Sequence, residues 1–190
     1  MLVHLLRDAQ GCRGAMVLDL VSGDYCRVLA GATILATGGF AGLYARNDNP
    51  AGTAGDGLAL GLLAGARAID LEFATVFELG LAEEGCPQDG CYFGPAVSAG
   101  VVTDDSGLPL DRAQRDEHWR DASLGVERRD GRYDLWLDLT QVTPEQWLEE
   151  KLALVRREIL LDLPVSERPV RVSPLAHFTP GGLMIDERAR

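Results

Sequence analysis

The sequence predicts an α+β fold, and three observations carry the prediction. Residues 1–6, 15–18 and 25–29 are short apolar runs separated by the polar turns Arg7-Asp8-Ala9-Gln10-Gly11 and Ser22-Gly23-Asp24, the spacing of a small β-meander. Residues 32–36 read as an apolar strand running into Thr37-Gly38-Gly39, and Thr53-Ala54-Gly55-Asp56-Gly57 stands at the head of an apolar helix. Further on, Thr143 and Gln146 form a capping box with Pro144 at the first helical position, a strong start signal for a second helix.

Composition narrows the possible partners. A chain of 190 residues with 46% hydrophobic residues holds one packed domain, or one and a fraction. Its net charge of −11, from 29 acidic against 18 basic residues, argues against nucleic acid or an anionic membrane surface, since both would repel it. No apolar run approaches the roughly 18 residues that span a bilayer, and no charged-then-apolar signal opens the chain. The expectation is a cytoplasmic protein with no direct membrane insertion. Cys12, Cys26, Cys86 and Cys91 show no C-x-x-C spacing, so no metal site is expected. Cys86 and Cys91 are near enough in sequence to bridge a loop, while free thiols are the usual state in a reducing cytoplasm.

The two glycine turns carry the chemistry. Glycine lets bare backbone N–H groups approach a ligand, and a helix N-terminus adds about half a positive charge that suits a phosphate or an electron-rich ring. Either turn alone reads equally well as a tight α/β connection; together they favour a ligand. In the helix expected over residues 56–68, Leu58, Leu62 and Ala66 share a face that Leu60 and Leu63 widen, which predicts a largely buried helix. Residues 87–107 read as loops with room for one hairpin, and residues 110–132 as a charged stretch whose default explanation is a solvated face. The helix starting at Thr143 should carry an apolar stripe of Trp147, Leu148, Leu152, Val155 and Ile159, with Pro164 past its end.

Ala36-Thr37-Gly38-Gly39, Leu43-Tyr44, Asn49-Pro50, Thr53, Gly55-Asp56-Gly57, Ala64-Gly65-Ala66 and Leu71-Glu72-Phe73 occur in that order. This succession resembles the FAD-dependent flavoprotein subunits of fumarate reductase and succinate dehydrogenase, with L-aspartate oxidase as a close relative. Trp136-Leu137-Asp138-Leu139 is similar to a Tyr-Leu-Asp-Leu strand of that family. The stretch from Ser173 to Asp186, with Ala176-His177-Phe178-Thr179 and Gly181-Gly182, is similar to its Pro-x-Ala-His-Tyr-Thr-x-Gly-Gly-x-x-x-Asp signature.

The resemblance implies a chain built around the capping domain of such a flavoprotein. Residues 1–45 would be the β-meander and ATGG strand left from a Rossmann-like FAD-binding domain, residues 46–169 the cap, and residues 170–190 the return to the FAD-binding domain. It implies FAD as cofactor, contacted by Ala36, Thr37, Gly38, Gly39, Asn49, Thr53, Gly55, Asp56, Gly181 and Gly182; Asp56 reads equally as a helix N-cap. It implies hydride transfer between flavin and a small carboxylate, with His177 and Thr179 binding substrate and Arg120 as the acid. A structural histidine is the alternative at 177, and Arg112, Arg115, Arg128 and Arg129 compete with Arg120. The implied partners are the remainder of the flavoprotein and an iron–sulfur electron-transfer subunit, the latter allowing membrane association through partner subunits.

The chain departs from the family in three places, one of them a basic, glycine-rich, arginine-bearing element that is unrecognisable between Gly94 and Gly107. The G-x-G-x-x-G that holds the cofactor pyrophosphate is absent from it, so FAD binding by the chain alone is expected to be weak or nil, and the chain alone inactive. Phe77, Glu78 and Leu79 stand where the family has His-Pro-Thr, and an apolar ring cannot donate a charge-assisted hydrogen bond to a carboxylate. An L-aspartate oxidase-like enzyme and a non-catalytic interaction module derived from the cap are the alternatives.

Overall fold

The computed structural model describes residues 1–86, 89–92, 94–122, 134–158, 160 and 162–188, without the side chains of Glu78, Asp121, Ala122 and Glu158. The described residues form two compact units: residues 1–43, 50–75 and 178–190 make the first, and residues 44–49 and 76–177 the second.

In the first unit, β1 (Leu2–Asp8), β2 (Gly11–Leu18) and β3 (Tyr25–Leu29) form the expected antiparallel meander. Leu5 stands opposite Ala15 and Val17 opposite Cys26. Gly14 has φ +130°, and a Cβ there would run into the carbonyl of Val28, so this position on the central strand is closed to side chains. The helix α1 (Asp56–Leu63) is shorter than expected. The Gly65 N–H bonds to the Leu62 carbonyl and the Ala66 N–H to the Gly61 carbonyl, with Gly65 at φ +91°, a Schellman stop that Ala64-Gly65-Ala66 encodes. The Arg7 guanidinium donates to the Ala64 carbonyl at this helix end, where the dipole favours a cation. β4 (Ala68–Ile69) pairs antiparallel with β9 (Gly182–Leu183).

Three expectations for this unit are corrected. Residues 32–36 form no strand; a strand exists only through ladder bonds to a neighbour, no described residue pairs with this stretch, and Ile34 is 91% exposed. The helix is not largely buried: Gly57 and Gly61 are its buried residues while Leu63 is 76% exposed. Gly61 packs on the Leu183 side chain, so the inward face is the one without side chains. Asp56 is not the N-cap, a position held by Gly55 at φ +81° without a side-chain cap bond.

The second unit is built on a sheet of order β5-β8-β7-β6, comprising β5 (Thr75–Leu81), β6 (Val101–Thr103), β7 (Leu135–Asp138) and β8 (Val170–Phe178). β7 runs antiparallel to both β6 and β8. Leu79, Leu81, Leu137, Val170 and Val172 from the sheet are buried with Trp147, Leu152 and Val155. Here too the structure corrects the sequence. Residues 94–99 form a helix, α2 (Gly94–Ala99), where loops were expected; β6 turns back locally, Thr103 bridging Pro109 antiparallel, and also pairs with β7. The charged stretch supplies α3 (Arg112–Ala122). Arg120 lies in its last turn.

The capping box at Thr143 and Gln146 forms as predicted, but the helix it starts is divided into α4 (Pro144–Trp147) and α5 (Glu150–Glu158). Leu148 sits at the α4 C-cap, 80% exposed, so the apolar stripe reduces to Trp147, Leu152 and Val155; Ile159 lies outside the described residues. Among the described residues no helix is long and apolar enough to cross a membrane, and no group of His, Cys, Asp or Glu has metal-binding geometry.

Glu83 fastens β8 to the end of β5: its Oε1 accepts from the Arg171 N–H at 2.9 Å and from the Arg168 guanidinium at 3.0 Å. Desolvation pushes its pKa up, but those hydrogen bonds and the charges of Arg168 and Arg171 outweigh it and hold the carboxyl below its ordinary value. A depressed carboxyl contributes stability above the unfolded-state pKa, about 4.3, and loses it as pH falls through the folded value. Glu83→Gln is therefore expected to be less stable than wild type in urea unfolding at pH 7, with the difference closing below about pH 4.

Candidate functional site

The first unit carries a half-open cavity of about 700 Å³. Thr37, Gly38 and Gly39 line one part of it and Gly181 and Gly182 another, together with Gly57 at the head of α1. Leu5, Ile34, Leu35, Leu58, Leu183 and Ile185 give it an apolar wall. The glycines are of two kinds. A Cβ on Gly39 would strike the Thr179 hydroxyl, one on Gly57 the Thr37 hydroxyl, and one on Gly181 the Asp70 carbonyl; these glycines let backbone segments close on one another. At Gly182 a Cβ would meet nothing within 4 Å, so a side chain there would stand in open space beside the cavity.

Of the ten cofactor residues expected from the sequence, the cavity gathers Ala36, Thr37, Gly38, Gly39, Gly181 and Gly182. Thr53, Gly55 and Asp56 lie outside its lining. Thr53 serves the loop, its carbonyl accepting from the Gly42 N–H at 3.0 Å and its hydroxyl donating to Pro50; Gly55 lets the chain pass Phe40. Thr179 is buried, and its Oγ1 accepts from the Phe40 N–H at 3.2 Å, fixing the turn that follows Gly39.

A separate cluster forms in the second unit around His177 in β8. Residues 46–48 run parallel to β8 at Ala176: the Ala176 N–H bonds to the Arg46 carbonyl at 2.9 Å and the Asp48 N–H to the Ala176 carbonyl at 3.3 Å. This register sets the Asp48 carboxylate 2.8 and 3.0 Å from His177 Nδ1. The imidazole stacks on Phe77, centroids 4.0 Å apart at 24°, and Phe77 leans on Tyr92 at 4.1 Å. Asn49 donates to the His177 carbonyl at 2.8 Å, so it anchors this segment rather than lining the cavity. Phe77, at the position of the expected second histidine, supports His177 through its ring face.

Behind the cluster, Arg46 is 3% exposed, with Asp134 at 3.5 Å and Asp89 at 3.9 Å. The Arg171 guanidinium reaches Asp134 at 3.4 Å and donates to the Ala82 carbonyl at 2.7 Å. Arg120 is exposed on α3; of its competitors, Arg112 and Arg115 line a different cavity of about 500 Å³ in the same unit, and Arg128 and Arg129 lie outside the described residues. Sequence reasoning missed Asp48, whose proximity to His177 spans 129 positions; its place next to Asn49-Pro50 was the available signal.

A family model described as "FAD binding domain" matches residues 1–190. The chain belongs to the FAD binding domain family. An uncharacterized FAD-dependent oxidoreductase of Methanocaldococcus jannaschii is 30% identical over 99% of this chain and 36% of its own length. L-aspartate oxidase 1 of Ralstonia nicotianae is 30% identical over 94% and 35%, and the mitochondrial succinate dehydrogenase flavoprotein subunit of Oryza sativa 29% over 95% and 31%. The chain thus spans about a third of the length of the curated relatives it matches. Among solved structures, Mycobacterium smegmatis Sdh1 in complex with UQ1 superposes with a TM-score of 0.77 at 23% identity, over 98% of this chain and 33% of that one. A quinol-fumarate reductase with menaquinol molecules gives 0.72 at 22%, over 97% and 36%. The fold is that of these flavoproteins, and FAD is the cofactor of the family.

The residues of the first cavity fit such a group: an apolar wall, glycine backbone, and open space at Gly182. The Thr179 hydroxyl holds one side of this cavity through a single bond to Phe40. Thr179→Val leaves the part-buried Phe40 N–H without its acceptor and should cost about 1 kcal/mol, read as a lower urea midpoint and faster hydrogen exchange of the Phe40 amide.

Proposed function

We propose that the chain is part of a FAD-dependent oxidoreductase of the fumarate reductase/succinate dehydrogenase type, acting on a small carboxylate. The observation that carries this reading is the cavity that unites Thr37-Gly38-Gly39 with Gly181-Gly182, two motifs some 140 residues apart. FAD, when bound, would accept or donate the hydride. The backbone of Gly38, Gly39, Gly181 and Gly182 would lie against its ring, and the apolar wall would keep water from it. Most of residues 46–169 would form the capping domain, and the partners would be the remainder of the flavoprotein and an electron-transfer subunit.

In this reading His177 binds the substrate carboxylate. Its ring is held on one edge by Asp48 and on one face by Phe77, so it is fixed before any ligand arrives, which lowers the cost of ordering it on binding. Arg120, charged at every working pH, is the proposed proton donor. An L-aspartate oxidase-like enzyme is the second reading, supported by the 30% identity with L-aspartate oxidase 1.

Steady-state kinetics of the full-length, FAD-loaded flavoprotein separate these roles. His177→Gln is expected to raise KM for succinate or fumarate about tenfold to a hundredfold through the lost charge-assisted hydrogen bond. Arg120→Gln is expected to lower kcat by about 10²–10⁴. Turnover of L-aspartate in place of succinate would select the second reading; unchanged kinetics in both variants would overturn the assigned roles.

A further inference from the structure

Among the described residues, Asp70 is the one non-glycine with a positive φ, +58°. That is the left-handed region, where a Cβ crowds the following carbonyl; aspartate tolerates it better than most residues because its side chain is short and polar. Residues held there concentrate at ligand sites, so the surroundings of Asp70 are informative.

Asp70 follows the end of β4. Ala68 stands opposite Leu183 and Ile69 opposite Gly182, and the Met184 N–H bonds to the Arg67 carbonyl at 2.8 Å. One further step of this antiparallel register brings Asp70 to Gly181. There the ladder stops: the Asp70 carbonyl accepts from the Phe73 N–H at 3.2 Å, closing a turn over residues 70–73. Gly181 rests directly on this turn, since a Cβ on it would run into the carbonyls of Asp70 and Ile69. The torsion φ precedes the carbonyl, so a change of φ at residue 70 swings the group on which Gly181 rests. Gly181 and Gly182 both line the cavity of the first unit, whereas Asp70 does not.

We infer that Asp70 is a positioning residue of the flavin site, its left-handed backbone holding the Gly181-Gly182 segment at the cavity wall. The inference rests on the reading of this cavity as the flavin site and adds to it a residue outside the lining. Asp70 acts through its main chain, so its charge is not what counts. Asparagine and glycine enter the left-handed region readily and should hold the segment as aspartate does. A β-branched residue disfavours φ +58°. In Asp70→Val the population with the segment in place therefore falls, and the apparent Kd for FAD rises by the inverse of that population.

The test compares the ¹⁵N,¹³C-labelled 190-residue chain with Asp70→Asn, Asp70→Gly and Asp70→Val. Without ligand, wild-type Asp70 is expected to show the strong intraresidue HN–Hα contact of a left-handed residue; a negative φ there would overturn the inference whether or not any variant folds. The Gly181 and Gly182 amide signals are expected to stay in place in Asp70→Asn and Asp70→Gly and to move in Asp70→Val, with the signals of β1 and β2 retained. Displacement in Asp70→Asn or Asp70→Gly, or none in folded Asp70→Val, would overturn it. On titration with FAD, Asp70→Asn is expected to bind within about twofold of wild type and Asp70→Val about tenfold more weakly. Equal affinity of Asp70→Val and wild type would overturn the positioning role. Wild-type glycine amides that do not respond to FAD would overturn the flavin reading and the role of Asp70 toward it. The ligand-free spectra distinguish that result from a failure of Asp70 to hold the segment.

Discussion

The second unit depends on a short parallel pairing at one residue. Ala176 accepts and donates backbone hydrogen bonds to Asp48 and Arg46, and this holds residues 46–48 along β8. The pairing brings Arg46 into the interior, where Asp89 and Asp134 surround it and Arg171 shares Asp134. A buried cation is costly unless compensated, and removing one partner of such a pair costs about 3–5 kcal/mol, so Arg46 fixes the register as firmly as the backbone bonds do. Asp48 and His177 meet because of that register. A shift of one residue would turn the Asp48 side chain to the opposite side of the strand.

The first unit works by the opposite device, the absence of side chains. Gly57 and Gly61 form the buried face of α1, Gly39 closes on Thr179 and Gly181 on Asp70. Each close approach draws backbone segments together and leaves a cavity whose polar character comes from main-chain groups and whose wall is aliphatic. Such a surface suits a flat, partly apolar ring better than a small anion, which would need compensating charge. It also explains why the ends of the cavity come from opposite ends of the chain: β4 and β9 pair antiparallel and carry Gly181-Gly182 to the glycine turn after Ala36.

Much of this was legible in the sequence because local chemistry decides it. The meander follows from its Gly- and Asp-bearing turns, and the start of α4 from the reciprocal Thr143–Gln146 bonds. What was not legible depends on distant neighbours. Residues 32–36 have strand composition, but composition cannot supply a pairing partner. The leucines of α1 mark a face that needs cover, and the buried face is instead its glycines. The break between α4 and α5 leaves Leu148 exposed although its spacing fits the stripe. α2 had a readable cue, Pro95 at its second residue, that the surrounding glycines outweighed. Arg46 bears no motif and Asp48 only its place beside Asn49-Pro50; their roles come from contacts with Asp134 and His177 far along the chain.

The central claim is that the glycine-lined cavity receives the flavin, and it is tested most directly by titrating FAD into the ¹⁵N-labelled chain and following the backbone amides. The account predicts that Thr37, Gly38, Gly39, Gly181 and Gly182 shift together, even if affinity is low, and that Gly182→Val, which places a side chain in open space, suppresses those shifts while leaving the second unit's spectrum intact. Shifts confined to the second unit, or shifts at the glycines that persist unchanged in Gly182→Val, would contradict it.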